Sequence, residues 1–514
     1  MSATSPDQPA VHLPPAQKAM ATLLVMGATM LVVLDSTIAN VAIPHMQAAL
    51  GATPDTVAWV LTSYITATAV GTPITGWLAG RFGRGRLFWI SILGFTAASA
   101  LCGMAVTLPM MVAARVIQGA FGAFLIPLSQ SIVYDINAPS QQARALAIWG
   151  AGVMAGPIIA PMIGGYLADV FNWRWVFFVN VPVGLLCALG VFLVLPRFPD
   201  ARRGFDLIGF LIIAVALCGL QLALDRGTQE DWLASPEIIV ELGLSAAAFW
   251  MLAFYLPMAR HPILATSLFR NPTFLTASMM VFFILAISTA SSALVPSLLQ
   301  NLMGYPVSTA GIVLIPRGVA LALAMLVGAR LMKTVDNRLL IFAGLGILAW
   351  SLELHSQFTL QMDRDLVIWS GVVMGIGSGL AMGSVNFMAI SSTTVELRTD
   401  AAALYGLFRS IGQAVVIAIA TALLAHNLQV GHAELGSALR IGNGAFVPSQ
   451  LMVGAPSGEV VARIADVEIN RQALMIAYLN DFWLMKWALI ILMPFALLMR
   501  SSRAPGGAPL VVSE

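Results

Sequence analysis

The chain has 514 residues, of which 59% are hydrophobic and only 10% charged, whereas soluble domains carry about 25% charged residues. That balance excludes a soluble globular protein and leaves an integral membrane protein; the net charge of +2 says nothing about partners, and there is no basic block to suggest a nucleic acid. Cys102, Cys187 and Cys218 lie in apolar runs without metal or disulfide spacing, the six histidines show no metal pattern, and there is no phosphate-binding lysine loop. The sequence therefore calls for no metal and no nucleotide cofactor.

Residues 1–20 form a polar, proline-containing tail, and the apolar run after Lys18 continues directly into Asp35. It reads as a retained first helix rather than a cleaved signal peptide. Fourteen apolar segments follow, near 21–43, 57–79, 87–106, 110–133, 144–168, 175–195, 205–225, 237–257, 273–299, 308–331, 338–358, 366–391, 401–425 and 482–500. Each has roughly the 17–27 residues needed to span hydrocarbon. An even number places both termini on one side. The tail, the even-numbered loops and the C-terminus hold most of the basic residues, among them Lys18, Arg81, Arg84, Arg144, Arg330, Lys333 and Arg398. That side is therefore expected to be cytoplasmic.

Gly76…Arg81…Arg86 and Gly328…Lys333…Arg338 superpose at a constant offset of 252 residues. Each falls between the second and third helices of a six-helix half, as parallel repeats of one large transporter architecture do. The expected organisation is an N-terminal half over 21–195, two additional helices over 196–260, a C-terminal half over 261–500, and a cytoplasmic tail over 501–514. Residues 427–481 are expected to form a long external loop, with a short interfacial helix along the mixed-charge run Glu459–Glu468.

Four stretches carry chemistry. Leu34-Asp35-Ser36-Thr37 through Asn40 to Pro44 places a carboxylate inside the first membrane segment. An ionised Asp there costs roughly 2.5–3.5 kcal/mol, so it faces protein or water, and a group that exchanges a proton at that depth suits a proton-coupled pump. The alternative is an Asp near the interface that only anchors its helix. The second-to-third loop reads Gly76-Trp77-Leu78-Ala79-Gly80-Arg81-Phe82-Gly83-Arg84, whose glycines allow a tight turn. In the fourth segment, Arg115 precedes Gln118 and Gly119, a charge that needs a partner or a cavity. In the fifth, Gly152, Gly156, Ala160 and Gly164 recur every four residues, with Pro157, Pro161 and Gly165 beside them. They form a small-residue face for tight helix packing, next to a bend that could serve as a gate.

In these motifs, and in Trp173-Arg174-Trp175 through Asn180 to Gly184 and Leu224-Asp225-Arg226-Gly227, the chain resembles the fourteen-helix drug:proton antiporters of the major facilitator superfamily over nearly its whole length. The resemblance implies a major facilitator fold of two six-helix halves plus two helices. It also implies a non-enzymatic exporter of hydrophobic or amphipathic compounds in the inner membrane, driven by the proton gradient. By position it makes Asp35 a proton carrier and Arg115 part of proton coupling, and it links the Gly152–Gly165 face to export. The general superfamily loop carries an acid where this chain has Gly80, so the usual charge clamp is absent or rebuilt. Asp225 is a second proton site or a helix cap. Asn40, Gln118, Arg317, Asn386, Arg409 and Gln413 are candidates to line the substrate cavity, with Arg317 alternatively a buried structural residue. Glu353 and His355 read as a wetted helix end. The resemblance also offers 427–481 as a docking surface for a periplasmic adaptor and outer-membrane channel, against a lid or a linker. An exporter of one physiological solute, such as a fatty acid or siderophore, remains an alternative. So does a receptor or scaffold that has lost transport, although intact Asp35 and Arg115 argue against it.

Overall fold

A computed structural model of the chain describes residues 13–196, 204–260, 262–438 and 458–499. Among the described residues all regular structure is helical. The first half contains α1 (Pro15–Leu50), α2 (Trp59–Gly71, continued by the 3₁₀ turn Thr72–Ile74 and by Thr75–Phe82), α3 (Arg84–Met104), α4 (Leu108–Asp135), α5 (Pro139–Tyr166) and α6 (Asn180–Val194). Between the halves lie α7 (Leu207–Arg226) and α8 (Pro236–Met258). The second half contains α9 (Pro272–Asn301), α10 (Val307–Leu331), α11 (Asn337–His355), α12 (Arg364–Ser391), α13 (Arg398–Ala438) and α14 (Gly458–Leu492).

Twelve helices among the described residues are long and apolar enough to cross a membrane. The other two expected crossings coincide with α2, which Pro73 breaks into pieces because it has no N–H to donate, and with α5. Local chemistry fixes the helix ends. Pro15 starts α1 where a missing N–H is harmless, and Thr107 and Asn271 cap α4 and α9 with their side chains. Gly83 links α2 to α3 at φ 79°, a conformation that favours glycine.

Each half has an interior largely of its own, although Ile390 and Ala402 of the second half pack into a cluster of the first. One apolar cluster joins Phe274, Ile284, Leu345, Phe358 and Phe482 of the second half to Ile213, Leu217 and Leu252, so the added helices share a core with that half. In the first half, one cluster gathers around Phe88, Phe95 and Leu128 and another around Ile38, Met46 and Phe177. Outward faces are apolar as well: Leu186, Leu189 and Phe192 on α6 and Trp250, Met251 and Phe254 on α8 are exposed, as helices meeting hydrocarbon require.

The small-residue face of α5 lies against α1. Gly152 faces Met26, Gly156 faces Met30 and the backbone of Leu34, and Gly164 faces Ile38, whereas Gly165 meets nothing. This contact holds the Asp35 segment close to α5.

The structure differs from expectation over 427–481. α13 runs for 41 residues and α14 for 35, although about 20 suffice to cross hydrocarbon. Their surplus turns pair with each other, Gly431 facing Ala473 and His432 Nε2 lying 2.9 Å from Asp466 Oδ1. The expected short helix near 459–468 is the start of α14, because a run rich in Ala, Val, Glu and Arg with partners one turn apart, such as Gln472 to Glu468 at 2.8 Å, propagates as helix. Residues 439–457 of the expected loop lie outside the described residues, as do most of both tails.

Candidate functional site

Asp35, Arg115, Gln118 and Asn180 meet inside the first half, all with no exposed surface. Arg115 Nη1 donates to Asp35 Oδ2 at 2.6 Å and to Gln118 Oε1 at 2.8 Å, while its Nε donates to the Val60 carbonyl at 2.9 Å. Gln118 Nε2 and Asn180 Nδ2 both donate to Asp35 Oδ1, at 2.9 and 2.8 Å. Asn180 also reaches Ser99 Oγ at 3.1 Å, and Ser99 donates to the Phe177 carbonyl at 2.9 Å. The guanidinium lies over the Tyr64 ring, 4.1 Å from its centroid. Gly119 makes this possible: a Cβ there would come within 2.5 Å of the Tyr64 carbonyl oxygen, so only glycine lets α2 approach α4 this closely.

Burying two charges costs several kcal/mol per ion unless their mutual attraction and further hydrogen bonds offset it. Here the carboxylate receives three donors and the guanidinium gives three bonds and a cation–π contact. Arg115 Nη2, Tyr64 Oη and Asn180 Oδ1 are nevertheless buried without partners, so the cluster is not saturated. Gln118, expected on a cavity wall, is instead one of the groups that hold the ion pair, because it lies one turn from Arg115 on α4. Asn180 was read only as part of the Trp173–Gly184 motif, without a role, and Ser99 was not singled out. The signal available was a polar residue at the start of an otherwise apolar α6.

A second charge cluster pins the halves together at the end bearing the basic loops. Asp135, at the end of α4, accepts from Arg84 and from Arg398 Nη1 of the second half, the latter at 2.6 Å. Arg398 also covers the Tyr134 ring at 4.4 Å, Ser131 and Thr399 hydroxyls lie 3.1 Å apart, and Gly76 abuts Asp400. Gly80 removed the expected acid from the loop, and Asp135 supplies one from the neighbouring helix. Arg81 does not join this cluster; it is exposed and lies over Trp77.

In the second half, Arg317 and Gln413 reach adjacent residues of α9. Arg317 Nη2 donates to the Ser288 carbonyl at 2.6 Å and its hydroxyl at 3.0 Å, with no carboxylate partner among the described residues. Gln413 donates to Thr289 at 2.9 Å, Arg409 is half-buried one turn away, and Asn386 is buried with Oδ1 unpartnered. Asn40 is exposed on α1 and takes no part in the Asp35 cluster. Asp225 accepts from Gln221 at 2.8 Å. His355 is buried, its Nδ1 2.7 Å from the Ser351 carbonyl, which corrects the expectation of a wetted end; Glu353 is partly exposed and pairs with Lys486 at 2.6 Å. The side chains of Pro157 and Pro161 lie outside the described residues, although α5 continues as helix past both.

The sequence model of the Major Facilitator Superfamily matches residues 25–417. The chain belongs to that superfamily. It is a membrane transporter rather than an enzyme, and it is similar to "Multidrug export protein EmrB" of Escherichia coli (strain K12), 31% identical over 484 residues and covering 93% of this chain and 94% of the relative. It is also similar to "Fatty acid resistance protein FarB" of Neisseria gonorrhoeae, 35% identical over 365 residues, covering 70% of this chain and 71% of the relative. Among solved structures, the superfamily's proton:xylose symporter XylE aligns with a TM-score of 0.59 at 12% identity over 95% of this chain and 97% of its own, a likeness of fold.

Proposed function

We propose that the chain is a proton-coupled secondary exporter that carries hydrophobic or amphipathic compounds out across the inner membrane by alternating access, with both termini cytoplasmic. The observation that carries this reading is the fully buried Asp35–Arg115 pair, joined by the side-chain amides of Gln118 and Asn180 but not saturated. A proton arriving on Asp35 removes the charge that Arg115 neutralises, so the arginine must find another partner and α1 and α4 must shift. In this reading the Asp135 cluster is the cytoplasmic gate, closed here, and Gly76, Gly83 and Arg84 shape it. The α1–α5 face of Gly152, Gly156 and Gly164 is where the movement is transmitted. Asp225 is a further candidate for proton exchange.

The proton gradient supplies the energy and no cofactor is used. About 150 mV provides about 3.5 kcal/mol per charge moved. That sustains a gradient of a few hundred-fold per proton, since about 1.4 kcal/mol is tenfold. The surplus turns of α13 and α14 are proposed to form the docking arm for a periplasmic adaptor leading to an outer-membrane channel. Export of one anionic amphiphile, such as a fatty acid, is the second reading; Arg317 and Arg409, which have no carboxylate partner among the described residues, would suit an acidic head group.

The test is Asp35→Asn in proteoliposomes with an imposed pH gradient. The amide keeps the shape and cannot carry a proton, so gradient-driven transport should vanish. Because the change also strands Arg115 as a buried charge, at a cost of about 3–5 kcal/mol, the folded fraction is measured alongside, with Asp35→Asn combined with Arg115→Gln as the stability control. Full transport by this variant would move the proton site elsewhere.

A further inference from the structure

Asp481, on α14, takes no part in the cluster around Asp35. It is 2% exposed, and neither carboxyl oxygen has a hydrogen-bond partner among the described residues. Its surroundings are otherwise satisfied. One turn earlier, Tyr478 Oη bonds to Ser297 Oγ on α9 at 2.9 Å. The next residue, Phe482, lays its ring 5.1 Å from that of His355, at the last turn of α11. Lys486, the cation one turn onward, is taken by Glu353 at 2.6 Å. The helices packed on α14 offer no replacement. α9 has no ionisable residue; α11 has Arg338, Glu353 and His355; α13 has Arg398, Asp400, Tyr405, Arg409, His426, His432 and Glu434. None of these pairs with Asp481.

We infer that Asp481 is a second proton-binding site, separate from Asp35, which carries a proton in this conformation and releases it during the transport cycle. A bare carboxylate enclosed in an apolar interior with neither cation nor donor is far more costly than the neutral acid, which leaves only ordinary polar atoms unpaired. Asp481 lies near the ends of α9 and α11 opposite the Asp135 cluster, so it exchanges its proton with the side that is open when that cluster is closed. The releasing step rests on the exporter reading; the bound proton does not.

Infrared spectra of the detergent-purified full-length chain test the bound proton directly. At neutral pH the deuterium-sensitive carbonyl stretch of a protonated carboxyl should be present, be lost in Asp481→Asn and survive in Asp35→Asn. A spectrum unchanged by Asp481→Asn overturns the inference. Release is tested in proteoliposomes under an imposed pH gradient with ethidium as the probe. Asparagine mimics a permanently neutral acid, so a folded Asp481→Asn protein that transports as the wild type does would make the group structural and overturn the inference. The expected result is loss of gradient-driven transport to background, with activity retained in Asp481→Glu; if the Asn variant does not fold, a shifted rather than absent carboxyl band in Asp481→Glu is the supporting outcome, and an unmoved one refutes it. Failure of the wild type to move ethidium and a fatty acid alike would sink the exporter reading and the release step with it, and the spectra would still decide whether the proton is bound.

Discussion

The two halves share an architecture yet treat buried charge in opposite ways. In the first, Asp35 and Arg115 neutralise each other at 2.6 Å, held by the side-chain amides of Gln118 and Asn180. In the second, among the described residues, Arg317 has only Ser288 as a partner and Asp481 has none. A paired site is held together by charge, so adding or removing one proton changes its geometry. An unpaired acid can hold a proton without strain on its neighbours, and an unpaired cation can accept an anionic ligand. In the proposed reading, the first half converts protonation into movement and the second binds.

Arg115→Ala breaks this comparison most severely. It strands Asp35 as an uncompensated buried charge, and loss of one member of such a pair costs about 3–5 kcal/mol. Thermal unfolding in detergent should show the loss, and Asp35→Asn combined with Arg115→Gln should recover most of the stability without recovering transport. If the single variant melts like the wild type, the pair is not what holds this interior.

Ser131→Cys with Thr399→Cys addresses movement rather than stability. The two hydroxyls are 3.1 Å apart across the halves, so the cysteines should cross-link on oxidation. Transport should then stop and return on reduction. Continued transport by the cross-linked protein would mean that this end need not open.

Gly156→Leu ranks next, at about 1–3 kcal/mol of overpacking. A Cβ at Gly156 would already lie 3.5 Å from the Leu34 backbone nitrogen, so alanine should be tolerated while the rest of a leucine side chain pushes α1 away. Well-folded, fully active Leu protein would show that α1 and α5 do not need this contact.

Arg317→Met sharpens the contrast between halves. No acid is stranded by removing this cation, and a roughly volume-conserving change should cost less than about 1.5 kcal/mol. Transport of an anionic amphiphile should fall while transport of a cationic dye persists; equal loss of both would give Arg317 a structural role. The smallest effect is expected on the arm, where His432→Ala should change stability by at most about 1 kcal/mol because the pair with Asp466 is exposed.

Composition alone decided that this is a membrane protein, since the charged fraction is far too low to cover a soluble surface. Segment length and the placement of Pro and Gly gave most helix ends, and the spacing of Gly152, Gly156 and Gly164 marked a packing face that does meet α1. These are local properties, readable from neighbours in the chain. The continuation of α13 and α14 beyond the membrane was not legible, because each overhang is a modest helix former that persists by pairing with the other. The partners of each charge were equally hidden. Asp35 and Arg115 stand 80 residues apart, and Asp135 and Arg398 stand 263 apart. Sequence could say that each buried charge needed compensation; only the packing of helices distant in sequence decided that Arg115 would find an acid, that Asp135 would replace the one missing at Gly80, and that Asp481 would be left without a partner.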